Sequence, residues 1–189
     1  YLGSCRFKLP DPEKDTTVFE KLFEKLNELE IGIFIYIGGN DSMDTVYKIS
    51  KYAEKIGSDV KILGVPKTID NDLDITDHTP GFGSAAKYIA TTVREIAFDA
   101  KVYDVKSVTI VEIMGRNAGW LTAASSMAKT NNNMPQLIYL PEKPFNKEKL
   151  LEDVKKYAEK DLNVVVCVSE GIKDENGNYV CESMSSGLT

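Results

Sequence analysis

The chain has 189 residues, 42% of them apolar, and a formal net charge of −6. That length can bury a real core in one domain or two small ones, and the acidic balance excludes a general nucleic-acid surface, so an anionic substrate must be met by local cations, a metal or backbone N–H groups. No apolar run approaches the roughly 18 residues of a membrane span, no signal peptide is visible, and Cys5, Cys167 and Cys181 lack disulfide-framework or zinc spacing, which points to free thiols in a reducing cytoplasm.

Residues 1–12 read as a loop carrying Ser4-Cys5-Arg6-Phe7. From Thr17, read as an N-cap, Val18, Leu22, Phe23, Leu26 and Leu29 recur at helical spacing. Residues 31–37 form a nearly continuous apolar run, expected to be a strand buried on both faces. Gly38-Gly39-Asn40-Asp41-Ser42 breaks it, and a second amphipathic helix follows with Val46, Ile49, Ala53 and Ile56 on one face and Gly57 as its stop. Residues 60–63 read as another buried strand, closed by Pro66, which fixes its own φ and biases Val65 away from helix. Residues 74–80 are irregular. A long helix is expected over 81–103, with Ala85, Ile89, Val93, Ile96 and Ala97 on its apolar stripe. Residues 108–113 predict a buried strand, and Met114-Gly115-Arg116-Asn117-Ala118-Gly119-Trp120 leads into a helix through Ala128. Asn131-Asn132-Asn133 marks a turn, 137–140 a strand, and Asn146 caps a helix reaching about residue 160. Residues 164–168 form the last buried strand, before Ser169-Glu170-Gly171 and a tight-turn signal at Asn176-Gly177.

Strand and helix thus alternate about five times, which predicts an α/β fold: a doubly wound, mostly parallel sheet with helices on both faces, in a single domain over 1–189. The polar groups at Asn40-Asp41, 67–72, 114–116 and Glu170 each follow a predicted strand. In a parallel sheet such ends share one edge, so they are expected to converge on one crevice.

Lys67-Thr68-Ile69-Asp70-Asn71-Asp72 is the densest of these groups. One carboxylate there could accept the proton of an attacking hydroxyl while the other helps bind a hydrated Mg²⁺. Phosphoryl transfer needs little more than an aligned nucleophile, a base and cations on the charged oxygens. A polar turn would use the same residue types. Gly38-Gly39 lets a backbone approach a ligand closely, and the helix start behind it offers N–H groups to a phosphate. The bland reading has Asp41 or Ser42 merely capping that helix. Asp44 adds acid that would repel phosphate unless a metal or lysine intervenes. Arg116 opens a helix, a poor place for a cation, which favours a role in holding a phosphoryl oxygen or sugar phosphate. Glu170 could accept sugar hydroxyls or simply end a strand. His78, the sole histidine, reads as a turn residue.

Six motifs together resemble the phosphofructokinase family: Leu2-Gly3-Ser4-Cys5-Arg6-Phe7, Gly38-Gly39-Asn40-Asp41-Ser42, Pro66-Lys67-Thr68-Ile69-Asp70-Asn71-Asp72, Thr76-Asp77-His78-Thr79-Pro80-Gly81-Phe82, Met114-Gly115-Arg116 and Ser169-Glu170-Gly171. They stand in family order over nearly the whole chain. The resemblance implies that Asp70 deprotonates the 1-hydroxyl of fructose 6-phosphate, with Thr68 and Asp72 in the same loop. It implies that Met114, Gly115 and Arg116 bind the sugar phosphate and the transferring group, and that Glu170 binds the fructose ring. On the donor side it implies Arg6, Gly39, Asn40, Asp41 and Lys67, and as Mg²⁺-binding residues Asn40 or Asp41 together with Asp72.

ATP-dependent members of that family usually have glycine at the positions of Asp41 and Lys67, and the pyrophosphate-dependent members resemble this chain. A carboxylate at Asp41 would fill and charge the place of a nucleotide α-phosphate, and Lys67 can neutralise a compact pyrophosphate. Many relatives carry Asp where this chain has Asn40, a weaker, neutral oxygen ligand. They carry Arg near the start of the strand before Met-Gly-Arg, where Lys106-Ser107 stands here. The resemblance also implies that an N-terminal phosphate loop and a C-terminal part lie outside this chain. The expectation is therefore a cytoplasmic Mg²⁺-dependent pyrophosphate–fructose-6-phosphate phosphotransferase, homo-oligomeric at full length, binding neither nucleic acid nor membrane. An ATP-dependent enzyme and a non-catalytic phosphate-binding subunit are the alternatives. A Rossmann oxidoreductase is disfavoured by the missing glycine fingerprint.

Overall fold

A computed structural model describes residues 7–129 and 134–181, which form two compact units, Tyr1–Lys67 and Thr68–Thr189. Arg6, Cys5 and the Asn131-Asn132-Asn133 turn lie outside the described residues.

The first unit contains α1 (Thr17–Glu28), β1 (Ile33–Gly38), α2 (Asn40–Ile56) and β2 (Lys61–Pro66). β1 and β2 pair in parallel, Ile33 with Lys61 through Gly38 with Pro66. Parallel neighbours need a crossover, and α2 supplies it. Both helices pack on the same face: Phe19, Phe23 and Leu26 of α1 meet Ile49, Tyr52 and Ala53 of α2 over Phe34 and Ile62. Within this core the Phe19 and Tyr52 rings stack with centroids 5.2 Å apart.

Four expectations are corrected here. The α1 stripe centres on Phe19, which is fully buried, whereas Leu29 is exposed. Thr17 is the first helical residue rather than the cap; its N–H donates to Asp15 Oδ1 at 2.9 Å. In β1 and β2 only one face is covered, so Ile33, Ile35, Ile37, Leu63 and Val65 are exposed despite the continuous apolar run. Both helices of the unit serve the Phe34 face, and none of the described residues of the unit covers the other. For the same reason the helix face of α2 runs through Tyr52, and Ile56 is exposed.

The second unit contains α3 (Phe82–Ala100), β3 (Ser107–Ile113), α4 (Trp120–Ala124), β4 (Leu137–Tyr139), α5 (Lys147–Ala158) and β5 (Asn163–Ser169). Its strands lie in the order β3-β5-β4, all parallel. β5 is central and hydrogen-bonded on both sides, and Val164, Val165, Val166 and Cys167 are essentially inaccessible, as a Val-rich run bounded by polar residues demands. β3, expected buried, is an edge strand with Val108 and Ile110 exposed. The helix expected through Ala128 is α-helical only over α4 and then tightens to a 3₁₀ turn at Ser125–Ala128. Asn146 caps α5 as expected, its side chain accepting the Lys149 N–H at 2.8 Å. At Asn176-Gly177 the chain turns back, with Asp174 N–H donating to Asn178 O at 2.9 Å.

Cys167 and Cys181 are free thiols, and burial pushes the Cys167 thiol up. No helix among the described residues is long and apolar enough to cross a membrane.

Candidate active site

In the second unit three polar segments meet beyond the strand ends. β2 leads through Lys67 into the Thr68–Asp72 loop, β3 into Met114-Gly115-Arg116, and β5 into Glu170-Gly171. Thr68 shapes the first loop, its hydroxyl accepting the Asp70 N–H at 3.0 Å. Asn71 then adopts a left-handed φ of 60°, which Asn tolerates better than most residues. Its buried amide locks the loop: Oδ1 accepts the Thr79 N–H at 2.9 Å and Nδ2 donates to Asp77 O at 3.2 Å. The two carboxylates that flank Asn71 lie close enough to act on each other.

Asp70 is half-buried, and its pKa is raised. Burial is the largest cause, followed by the negative charges of Asp72 and Glu170; the Thr68 hydroxyl and the Arg116 guanidinium oppose it. Asp70, Asp72, Arg116 and Glu170, spread over a hundred positions of sequence, form one electrostatic group. A carboxylate raised in this way holds a proton more readily than an exposed one, which is the property of a general base.

Gly115 has φ 118° and a Cβ there would collide with the Ala118 carbonyl, so the bend before Arg116 requires glycine. The Gly115 N–H donates to Glu170 Oε1 at 3.1 Å, and the Ser169 hydroxyl donates to Gly115 O at 2.7 Å. Gly171 packs directly on the Arg116 backbone, where any Cβ would overlap it. Arg116 itself is exposed, as is Met114. At the far end of the same loop, Gly119 N–H donates to Glu142 at 2.6 Å.

The donor-side residues gather in the first unit. Gly39 is the N-cap of α2, so Asn40 and Asp41 open its first turn. Lys67 N–H donates to Gly38 O at 2.8 Å, which sets the residue beside that turn. Neither the Asp41 carboxylate nor the Lys67 ammonium has a hydrogen-bond or ion-pair partner among the described residues, and Gly39 rather than Asp41 is the N-cap of α2. Asp44 is paired with Lys48 at 2.7 Å and adds no free charge to the turn.

Two oxygens bear on a metal. Asp70 Oδ1 and Asp72 Oδ1 are buried without a hydrogen-bond partner, a costly condition that a cation or a substrate proton relieves. No group of three or more His, Cys, Asp or Glu residues suited to a metal occurs among the described residues. Mg²⁺ asks for no such cage, since it keeps several waters and takes one or two carboxylates plus phosphate oxygens. The paired aspartates fit it.

Of the residues singled out from sequence, Asp70, Asp72, Thr68, Gly115, Arg116 and Glu170 are brought together in the second unit, and Gly39, Asn40, Asp41 and Lys67 in the first. Asn71, Ser169 and Gly171 received no role from sequence. An Asn between two aspartates and a glycine directly after the glutamate were the available signals.

The phosphofructokinase family model matches residues 1–188. The chain belongs to the phosphofructokinase family. A pyrophosphate–fructose 6-phosphate 1-phosphotransferase from Xanthomonas campestris pv. campestris (strain B100) is 47% identical over 96% of the chain, which covers 44% of that protein. A sulfofructose kinase from Alkalicoccus urumqiensis is 39% identical over 93% of the chain, covering 45% of that protein. The crystal structure of the pyrophosphate-dependent phosphofructokinase from Marinobacter aquaeolei superposes with a TM-score of 0.74 at 41% identity, over 98% of this chain and 47% of that one. This phosphofructokinase chain thus spans less than half the length of these relatives. The α/β fold and the parallel strand pairing expected from sequence are those of the family.

Proposed function

We propose that the protein transfers a phosphoryl group from pyrophosphate to the 1-hydroxyl of fructose 6-phosphate, giving fructose 1,6-bisphosphate and inorganic phosphate. The observation that carries this reading is the single electrostatic group formed by Asp70, Asp72, Arg116 and Glu170, in a family whose similar members carry that activity in their names.

In this reading Asp70 accepts the proton of the sugar 1-hydroxyl as its oxygen attacks the terminal phosphorus, and the bridging P–O bond breaks to release phosphate. Arg116 faces the phosphoryl oxygens. Glu170, one of whose oxygens is already taken by Gly115 N–H, offers the other to the sugar hydroxyls. Thr68 holds the Asp70 loop in shape. Asp72, with Asn40 or Asp41 as an alternative, would hold Mg²⁺, which neutralises phosphate charge when bound. Asp41 excludes a nucleotide by volume and charge, and Lys67 supplies a compact cation for pyrophosphate. Arg6 is a further donor contact. We place the working enzyme in the cytoplasm as a homo-oligomer of a longer chain, folding these residues into a single α/β domain.

The full-length protein, assayed with Mg²⁺, is expected to convert fructose 6-phosphate with pyrophosphate and to use ATP negligibly. Sulfofructose is the competing acceptor suggested by the kinase relative. Preference for ATP, or faster turnover of sulfofructose than of fructose 6-phosphate, would overturn the assignment of donor or acceptor respectively.

A further inference from the structure

We infer that Ser169 is a positioning residue for the sugar-phosphate side of the site, fixing the Gly115-Arg116 backbone and the Glu170-Gly171 turn against each other through one hydroxyl. The inference rests on the proposed function for its kinetic consequences but not for its geometry. Ser169 ends the central strand β5, opposite Ile113 at the end of β3, and is only 1% exposed. Its hydroxyl donates to Gly115 O at 2.7 Å and accepts the Gly171 N–H at 3.0 Å. The direction is forced, since a carbonyl can only accept and an amide can only donate.

The Gly115 residue is therefore held from both sides by two successive residues, the last of β5 and the one that follows it. Ser169 takes its carbonyl and Glu170 takes its N–H, the latter at 3.1 Å. The register of Gly115 is further pinned by its φ of 118°. Gly171, drawn in by the same hydroxyl, lies against the Arg116 backbone where a Cβ would overlap it. An alanine at position 169 would fill the strand end but leave a buried carbonyl and a buried amide unpaired. The loop would then shift to find other partners, and a displacement on the order of 1 Å at a substrate-holding arginine costs up to about 100-fold in rate.

The test uses the full-length protein with Ser169→Ala and Ser169→Thr, the latter retaining the hydroxyl. Ser169→Ala is expected to raise KM for fructose 6-phosphate by about 10- to 100-fold, because the arginine that holds the sugar phosphate is displaced. KM for pyrophosphate should stay within about 2-fold, and Ser169→Thr should recover most of the loss. Independently of any substrate, hydrogen exchange at the Gly171 and Gly115 amides should quicken in Ser169→Ala while the Val165 and Val166 amides keep their protection. Unchanged exchange at Gly171, or equal rises in both KM values together with loss of β5 protection, would overturn the inference. Should Ser169→Thr fail to fold, the exchange comparison on Ser169→Ala decides alone. Absence of sugar-phosphate turnover in the wild type would instead sink the proposed function, and exchange would still decide the clamp.

Discussion

A half-buried carboxylate with two acidic neighbours is costly to ionise, and Asp70 is in that position because burial, Asp72 and Glu170 all favour its proton. Its native pKa therefore lies above its unfolded value near 3.9, the ordinary carboxylate figure. Over the window from there up to the raised native value the folded state binds more protons than the unfolded one. Stability consequently falls as pH rises through that window and is regained on acidification. Asp70→Asn removes the titration and keeps the shape. Its melting temperature should exceed that of the wild type at pH 7, and the gap should close below about pH 4. At pH 7 the same variant should lose about 10²- to 10⁴-fold in kcat with KM for fructose 6-phosphate little changed. Turnover within a factor of a few of wild type would assign the base elsewhere. This stability–activity trade is what a tuned catalytic group predicts. The acids and the arginine were legible in sequence because each stands in a loop that follows a strand. Asn71, Ser169 and Gly171 were not, because they act through backbone hydrogen bonds and a missing Cβ, and no residue type announces that.

Among the elements, α5 shows how local chemistry fixes a boundary. Asn146 is extended, accepts the Lys149 N–H, and is followed by Glu148 in the first turn, which suits the helix dipole. Asn146→Ala should cost about 1 kcal/mol by denaturant or thermal unfolding and leave both KM values unchanged. No measurable loss would mean that the freed N–H finds an equivalent partner. Boundaries and types of most elements could be read this way, from Asn146, from Gly57 with its φ of 64°, and from the Val run of β5. Burial could not. A run such as Ile33 to Ile37 reports that a strand is apolar on both faces, not which segment covers the second face. Thr17 likewise could not be told from Thr16 as a cap, because Asp15 rather than either hydroxyl satisfies the first helical N–H.

At the scale of the whole molecule, the three strand pairs among the described residues are all parallel, so each strand delivers its following loop in the same sense within its sheet. That arrangement made the placement of the polar loops legible in the sequence, since strand-end loops of a parallel sheet are where ligands bind. It also divides the labour. The first unit carries the glycine turn, Asp41 and Lys67; the second carries the acids, Arg116 and the Ser169 clamp. The donor assignment rests on two of these residues, a carboxylate in the first turn of α2 and an ammonium after β2, neither with a partner among the described residues. The most direct test is kcat/KM for pyrophosphate and for ATP in the full-length wild type, Asp41→Gly, Lys67→Gly and the double variant. Asp41→Gly should raise ATP use from negligible to detectable, because a block is removed without new contacts being built. Lys67→Gly alone should weaken pyrophosphate use by about 2–5 kcal/mol and leave ATP unused. Retention of full pyrophosphate activity by Asp41→Gly with ATP still excluded would contradict the assignment and place the gate on other residues.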